Sequence, residues 1–372
     1  MQDIIGKNVK KIKLKTKVTS IFFVEEKISE NLLYKWLITG DETGEVKIQV
    51  ISDNQKNDFF ILKTMDIDAH ITCICVADLR NESRKEIIVI NSNGLLCGYT
   101  FPLLNKLYNP STSESISLLE PVMSIQQIML PNIISAFIND YASVNGKELY
   151  VMMTDRVIRS YRFNNRYNKF IPSRKWDLLI NIDAWSIGCN FKHNFSYYAQ
   201  LTVKGQYNRL VVDFQSQGIV AAHKVQKEKN TDINENTLYL SMMPVFVNCP
   251  IKKYTKIAVS NFSSRTYHYL LLPDNYYVNC IGVCSSQKTD QSYAVCVNEN
   301  GVVLIYSWKC PLETSIAPIY RSFVGADVKK IYIYPLSTES IAAIFLNYLG
   351  NITYSEYYYS DKTTPIYLTN DY

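Results

Sequence analysis

Two acidic loops are where this chain could do chemistry. Between Val76 and Val89 runs VADLRNESRKEIIV, in which Asp78 and Glu86 stand eight positions apart with Glu82 between them. The segment NDYASVNGKELYV repeats that separation with Asp140 and Glu148. Oxygens spaced along a short loop are what a hard cation such as Ca²⁺ requires, and the pattern approximates the calcium loop D-x-[DN]-x-D-G-x-x-[DE]-[LI]. Its third position, however, holds Arg80 in one loop and Ala142 in the other, and its fifth holds Glu82 or Val144. A cation or a methyl group in place of a ligand removes the donor. The expectation is therefore no bound metal, with the Asp and Glu side chains tying down backbone N–H groups of their own loops.

Other chemistries find less support. The four histidines, His70, His193, His223 and His268, lack a partner at metal spacing or in a nucleophile motif. No glycine-rich phosphate loop follows a strand. The 34 acidic residues guarantee chance carboxylate pairs, so sequence cannot single out an acid–base couple. No catalytic residue and no cofactor is expected. Nine cysteines, an odd number, lie mostly inside apolar runs without CxxC or Cys/His spacing, which predicts buried reduced thiols. The start, MQDIIGKNVKKIK, has no apolar signal core, and no run of about 18 apolar residues occurs, so a cytosolic protein without membrane insertion is expected.

The elements that must position these loops are strands. The 372 residues are 47% apolar and only 20% charged, enough to bury a large core. With 28 tyrosines and 15 phenylalanines and no sustained i, i+3, i+4, i+7 spacing, the chain reads as all-β. One unit recurs: a β-type run, a short polar turn and a second β-type run. It is clearest from Lys147 to Phe163, where Leu149–Met153 and Val157–Phe163 flank Thr154, Asp155 and Arg156. Further hairpins are read at Leu37–Val50 (Gly44), Ile87–Phe101 (Asn93-Gly94), Tyr198–Phe214 (Gly205), Lys256–Leu272 (Ser263-Ser264), Tyr293–Trp308 (Asn300-Gly301) and Ile341–Tyr358 (Gly350).

That makes seven units spaced by roughly 37 to 60 residues, the period of propeller blades. A β-type run precedes most hairpins, such as Ile71–Val76, Ile133–Ile138 and Val328–Tyr334, and a fourth follows, such as Gly218–Val225. The expected fold is a seven-bladed β-propeller of four-stranded antiparallel blades, a single domain over residues 1–372. Residues 104–119 and 224–236 read as loops, the second polar throughout and mobile. The last blade is completed either by the strand near Val9–Lys15 or by Ile366–Thr369.

The net charge of +5 is too scattered to argue for nucleic acid. Lys7, Lys10, Lys11, Lys13, Lys15 and Lys17 alternate with apolar residues, which suits a protected sheet edge or an acidic partner or anionic lipid surface.

The D-x7-E-[LI] pattern followed by a hairpin resembles the degenerate FG-GAP repeats of integrin α-subunit propellers. More narrowly, Glu148–Phe163, then Arg174-Lys175-Trp176 and Ile182–Ile187, resembles the family of integrin-alpha FG-GAP repeat-containing protein 2, as do Leu37–Val50 and Ile71–Phe101 in order and spacing. The resemblance covers about residues 18 to 190; the first unit carries VEEKISENLLYKW in place of the acidic loop. It implies a non-enzymatic subunit of the KICSTOR assembly at the lysosomal surface. Such a subunit pairs with a second propeller of the kaptin type and with larger KICSTOR subunits, and recruits the GATOR complex, which restrains TOR signalling when nutrients are scarce. The residues that carry the likeness include Asp155, Arg156, Arg159, Arg162, Lys175 and Trp176. Arginine and tryptophan are typical interface anchors, so Arg156, Arg159, Arg162, Lys175 and Trp176 are candidates for an acidic protein partner. They equally suit bracing of the hairpin and, for Trp176, the core. A generic cytosolic scaffold and a propeller enzyme with a central-channel site are the competing classes.

Overall fold

Short runs of Val, Ile, Leu and Tyr, punctuated by Asn, Asp and Gly, become strands because a branched or aromatic side chain fits a pleated surface and the punctuating residues turn the chain. The structure, a computed structural model, describes residues 8–12, 16–29, 32–52, 60–82, 84–100, 122–139, 147–155, 157–177, 182–190, 196–203, 208–213, 218–224, 237–242, 245–250, 256–261, 267–285, 291–309, 314–337 and 340–358. The expected loop 104–119 lies outside these residues. Of 224–236 only Lys224 falls within them, at the end of a strand.

The chain divides into two compact units, residues 14–179 and residues 1–13 with 180–372. A first strand, β1 (Asn8–Ile12), belongs to the second of these. Unit 14–179 holds three four-stranded sheets among the described residues. They are β2 (Val18–Ser29), β3 (Leu32–Asp41), β4 (Glu45–Ser52) and β5 (Phe60–Asp66); β6 (Ile71–Ala77), β7 (Glu86–Asn91), β8 (Leu95–Thr100) and β9 (Val122–Ile128); and β10 (Ile133–Asn139), β11 (Glu148–Met153), β12 (Val157–Asn164) and β13 (Lys169–Asp177).

The other unit holds four sheets among the described residues. The first is β14 (Ile182–Asn190), β15 (Ser196–Val203), β16 (Asn208–Asp213) and β17 (Gly218–Lys224); the second is β18 (Thr237–Met242), β19 (Val245–Pro250), β20 (Lys256–Asn261) and β21 (Tyr267–Leu271). The third is β22 (Val278–Ser285), β23 (Gln291–Asn298), β24 (Val302–Lys309) and β25 (Tyr320–Phe323). In the fourth, β26 (Val328–Ser337), β27 (Ser340–Asn347) and β28 (Ile352–Tyr358) are joined by β1. The pairing Asn8↔Glu356 to Ile12↔Ile352 is antiparallel, so the N-terminal strand, of the two candidates, completes the last sheet. Ile366–Thr369 lies outside the described residues.

One expectation is corrected. The hairpin read at Lys256–Leu272 is β20–β21, the third and fourth strands of its sheet, whereas each of the others is a second–third pair. Second strands from β15 onward start at residues 196, 245, 291 and 340, a far more regular period than the hairpins suggested.

Apolar clusters sit between consecutive sheets and explain why strict alternation is poor. In β7, Ile87 and Val89 pack with Trp36, Ile38 and Ile48, while Ile88 and Ile90 pack with Leu149, Val151 and Phe170. Both faces of the central strand are thereby buried. In the other unit, Ala294 and Cys296 of β23 join Ile257 and Leu270 on one side, and Val295 and Val297 join Ile331 and Ile341 on the other. Cys73, Cys75, Cys97, Cys280, Cys284 and Cys296 are free thiols in these layers. Burial pushes Cys280 up to about 11 and Cys75 further, so neither thiol is a ready nucleophile.

The second–third turns share a device. Asp41 Oδ1 accepts the Thr43 and Glu45 N–H groups at 2.9 and 2.9 Å, Asn91 Oδ1 those of Asn93 and Leu95 at 3.1 and 2.9 Å, and Asn347 Oδ1 those of Leu349 and Asn351 at 3.0 and 2.8 Å. Asn298 does the same for Val302 at 2.9 Å. Three positions on stands Gly44, Gly94, Gly301 or Gly350, each at positive φ.

Burial would raise the Asp41 pKa. Hydrogen bonds from the Thr16 and Thr43 hydroxyls and from the Glu45 and Thr43 N–H groups outweigh it and hold the carboxyl below 3.8. A depressed folded-state pKa contributes stability above the unfolded value, lost as pH falls through the lowered one. Asp41→Asn, which keeps the acceptor oxygen, should therefore flatten the acid limb of a melting-temperature profile as pH falls below 3.8. An unchanged limb would remove the charge from the turn's stability.

Candidate functional site

The loop between β6 and β7 puts its acidic groups to internal use. Asp78 Oδ1 accepts the Glu82 N–H at 3.1 Å, and Glu82 itself is exposed. Glu86 opens β7 and is only 1% exposed; Arg80 Nη2 reaches its Oε1 at 3.2 Å. The same Nη2 donates to Asn168 Oδ1 at 2.7 Å, and the guanidinium lies 5.2 Å from the centre of the Phe163 ring. Phe163 is on β12 of the next sheet and Asn168 in the turn between β12 and β13, so the side chain that breaks the calcium pattern supplies the positive charge and clasps two sheets together.

Glu148 opens β11 in the same way. Its Oε2 accepts the Tyr150 hydroxyl at 2.7 Å and its Oε1 the Ser160 hydroxyl at 2.8 Å. Tyr150 stacks on Phe137 with ring centres 4.9 Å apart. Burial, then the neighbouring Glu148 charge, pushes the Tyr150 hydroxyl well above the usual tyrosine range, with Arg174 and Arg162 opposing. Asp140 lies outside the described residues. Among the described residues, no group of three or more His, Cys, Asp or Glu side chains could hold a metal ion.

The expected partner-binding residues separate. Arg156 lies outside the described residues. Arg159 and Arg162 are half-buried on β12, on opposite faces: Arg159 is opposite Lys175, and Arg162 is opposite Glu148 and Ile171. Lys175 is 46% exposed and pairs with Asp177 at 2.7 Å, a surface pair worth about 0–1 kcal/mol. For Trp176, open between interface and core, burial favours the core: it is 5% exposed, with its ring 6.2 Å from that of Tyr150.

What the sequence did not indicate is a seam between β9 and β13. Gln127 Nε2 donates to the Phe170 carbonyl and Gln127 Oε1 accepts the Phe170 N–H, both at 2.8 Å. Asn168 Nδ2 adds a bond to the Ser124 carbonyl at 2.6 Å. A side-chain amide here imitates one rung of a ladder between two sheets, and a lone glutamine carries no sequence signal for that role. Beside it, the excess of Lys and Arg in 157–177 was readable.

The family of integrin-alpha FG-GAP repeat-containing protein 2 matches residues 61–248. The chain belongs to this family. The matched span runs from β5 to β19 and contains Arg80, Glu86, Glu148 and the β12–β13 hairpin. No curated protein sequence matches the chain. Among solved structures, BBS1N in complex with ARL6DN is similar at TM-score 0.62 and 9% identity over 98% of this chain and 100% of that one. Chaetomium thermophilum Raptor is similar at TM-score 0.60 and 12% identity, over 97% of this chain and 29% of that one. The β-propeller domain of Myceliophteria thermophila Cps50 (Swd1) is similar at 0.54 and 10%, over 93% and 98%. At such identities the likeness concerns fold alone: four-stranded antiparallel sheets of the β-propeller kind. No helix among the described residues is long and apolar enough to cross a membrane.

Proposed function

We propose that this chain is a non-enzymatic scaffold, a single seven-bladed β-propeller over residues 1–372 that holds other proteins. Family membership across residues 61–248 carries the reading. The acidic groups that could have done chemistry support it, since Glu86 is spent on Arg80 and Glu148 on two hydroxyls. Seven sheets of one strand order among the described residues, the last completed by β1, support the blade number.

Within that reading the chain acts as a KICSTOR subunit. It pairs with a second propeller of the kaptin type and with larger subunits at the lysosomal surface, and helps recruit GATOR to restrain TOR signalling under nutrient limitation. Arg156, Arg159, Arg162 and Lys175 remain candidates for an acidic protein partner. The solved complex of the similar BBS1N with ARL6DN supports protein partners as a class. Affinity purification of the full chain from fed and amino-acid-starved cells should recover the second propeller together with lysosomal proteins. Recovery of neither would leave a scaffold unrelated to nutrient signalling.

A further inference from the structure

An outer strand leaves a row of N–H and C=O groups unpaired, and folded proteins guard such edges with charge, proline, brevity or a covering segment. β1 carries Lys10 and Lys11, β5 carries Lys63, β17 ends in Lys224, and β25 has four residues. β13 contains Pro172 with Lys169 and Lys175, and Gln127 occupies both backbone groups of Phe170. β21 is covered by Ile316, whose N–H donates to the Tyr269 carbonyl at 3.0 Å and whose carbonyl accepts the Leu271 N–H at 2.9 Å.

β9 differs. Its seven residues, VMSIQQI, contain no charge and no proline, and it is the outermost strand of its sheet. Its one irregularity is the bulge at Ser124, which leaves Ile125–Ile128 as a regular stretch. Val122, Met123 and Ile128 are 62%, 48% and 83% exposed. Met123 and Ile128 lie opposite Tyr99 and Leu95, on the face turned toward the Trp36 cluster. Val122 lies opposite Thr100 on the other face. Apolar surface thus flanks this edge on both sides, which suits the alternating side chains of an added strand.

The charge nearby is one-sided. Residues 157–177 carry Arg159, Arg162, Arg166, Lys169, Arg174 and Lys175 against Asp177 alone, a net +5 that equals the formal charge of the whole chain. The Asn168–Ser124 bond holds the turn bearing exposed Arg166, Tyr167 and Lys169 against the first half of β9.

We propose that β9 is a strand-addition site for an extended segment of a partner protein, apolar at alternate positions and acidic at the end beside Arg166 and Lys169. The proposal deepens the scaffold reading and rests on it for its biological meaning. The test uses the full chain and a fluorescent synthetic peptide of about twelve residues that alternates Ile and Thr behind three glutamates. Control probes carry lysine for glutamate or proline at the central positions, and a single-stranded oligonucleotide and phosphatidylserine vesicles complete the set. Saturable anisotropy with the acidic peptide is expected, together with slowed hydrogen exchange at residues 122–130. Affinity should fall about tenfold or more for the lysine peptide and for Ile128→Lys, Met123→Lys or Lys169→Glu, and the proline peptide should not bind. These substituted side chains are exposed, so melting temperatures should hold; should Ile128→Lys fail to fold, Lys169→Glu gives the same readout. Absence of saturable binding, indifference to these substitutions, or stronger protection by the oligonucleotide or vesicles would overturn it. If the acidic peptide does not bind while the unaltered chain still recovers the second propeller from cells, β9 fails and the scaffold reading stands. Peptide binding without any such recovery does the reverse.

Discussion

Gly301→Ala should cost about 3 kcal/mol of unfolding free energy, and Gly325→Ala only about 1. Both glycines have positive φ, +79 and +100, so both replacements place an L side chain in the left-handed region. They differ in what the new methyl meets. At Gly301 a Cβ would fall 2.2 Å from the Gly325 carbonyl oxygen and 2.3 Å from its carbon, whereas at Gly325 nothing among the described residues lies within 4 Å. The obstructing atoms are backbone and cannot swing away. The Gly301 carbonyl also accepts the Val324 N–H at 3.0 Å, which draws the end of β25 onto the turn. Relief of the clash would therefore loosen the outer strand. Urea unfolding of the two variants separates the terms, since strain is common to both. Equal shifts in midpoint would show that conformational freedom, not close approach, is what Gly301 provides.

The same turns show what sequence could and could not convey. Asn300-Gly301 and Asn93-Gly94 mark hairpins because glycine accepts positive φ most cheaply, and both hairpins form where read. The residue three positions before each glycine was the other half of the signal, because Asp41, Asn91, Asn298 and Asn347 cap the turn through their side chains. The misassigned pair at Lys256–Leu272 has a physical reason too. Any adjacent antiparallel pair presents the same run–turn–run pattern, so the pattern cannot say which two strands of four it marks. Val245–Pro250, the true second strand, ends in a proline that weakens its appearance as a strand.

At the candidate site, Asp78 takes a backbone N–H of its own loop as expected, whereas Glu86 and Glu148 take the Arg80 guanidinium and two hydroxyls instead, and the reach of Arg80 to Asn168 joins residues 88 positions apart, beyond any local pattern. Trp176 was open to two readings, interface and core. Its type suits an interface, but register places it opposite Ile158 on a packed face, and register is set by the sheet as a whole.

Arg80→Ala should destabilise the chain by about 3 kcal/mol, because it strands Glu86 without its cation in a site that is almost closed to water. Removing one partner of a buried pair costs more than the pair contributes, since the remaining charge keeps its desolvation penalty. Glu86 Oε2 is already buried without a hydrogen-bond partner among the described residues, so the carboxylate has little reserve. The contact with Phe163 adds about 0.5–1 kcal/mol, and Asn168 Oδ1 loses its donor. The double variant Arg80→Ala/Glu86→Met removes the stranded charge and fills its space, and should recover about 2 kcal/mol of the loss. Arg80→Lys keeps the charge but gives up the planar guanidinium, which lies against Phe163 and whose Nη2 reaches both Glu86 and Asn168, and should fall between the two. Urea unfolding of the four chains forms the cycle. If the double variant is no more stable than Arg80→Ala, the guanidinium acts by packing on Phe163, and the loop's internal cation is not what steadies Glu86.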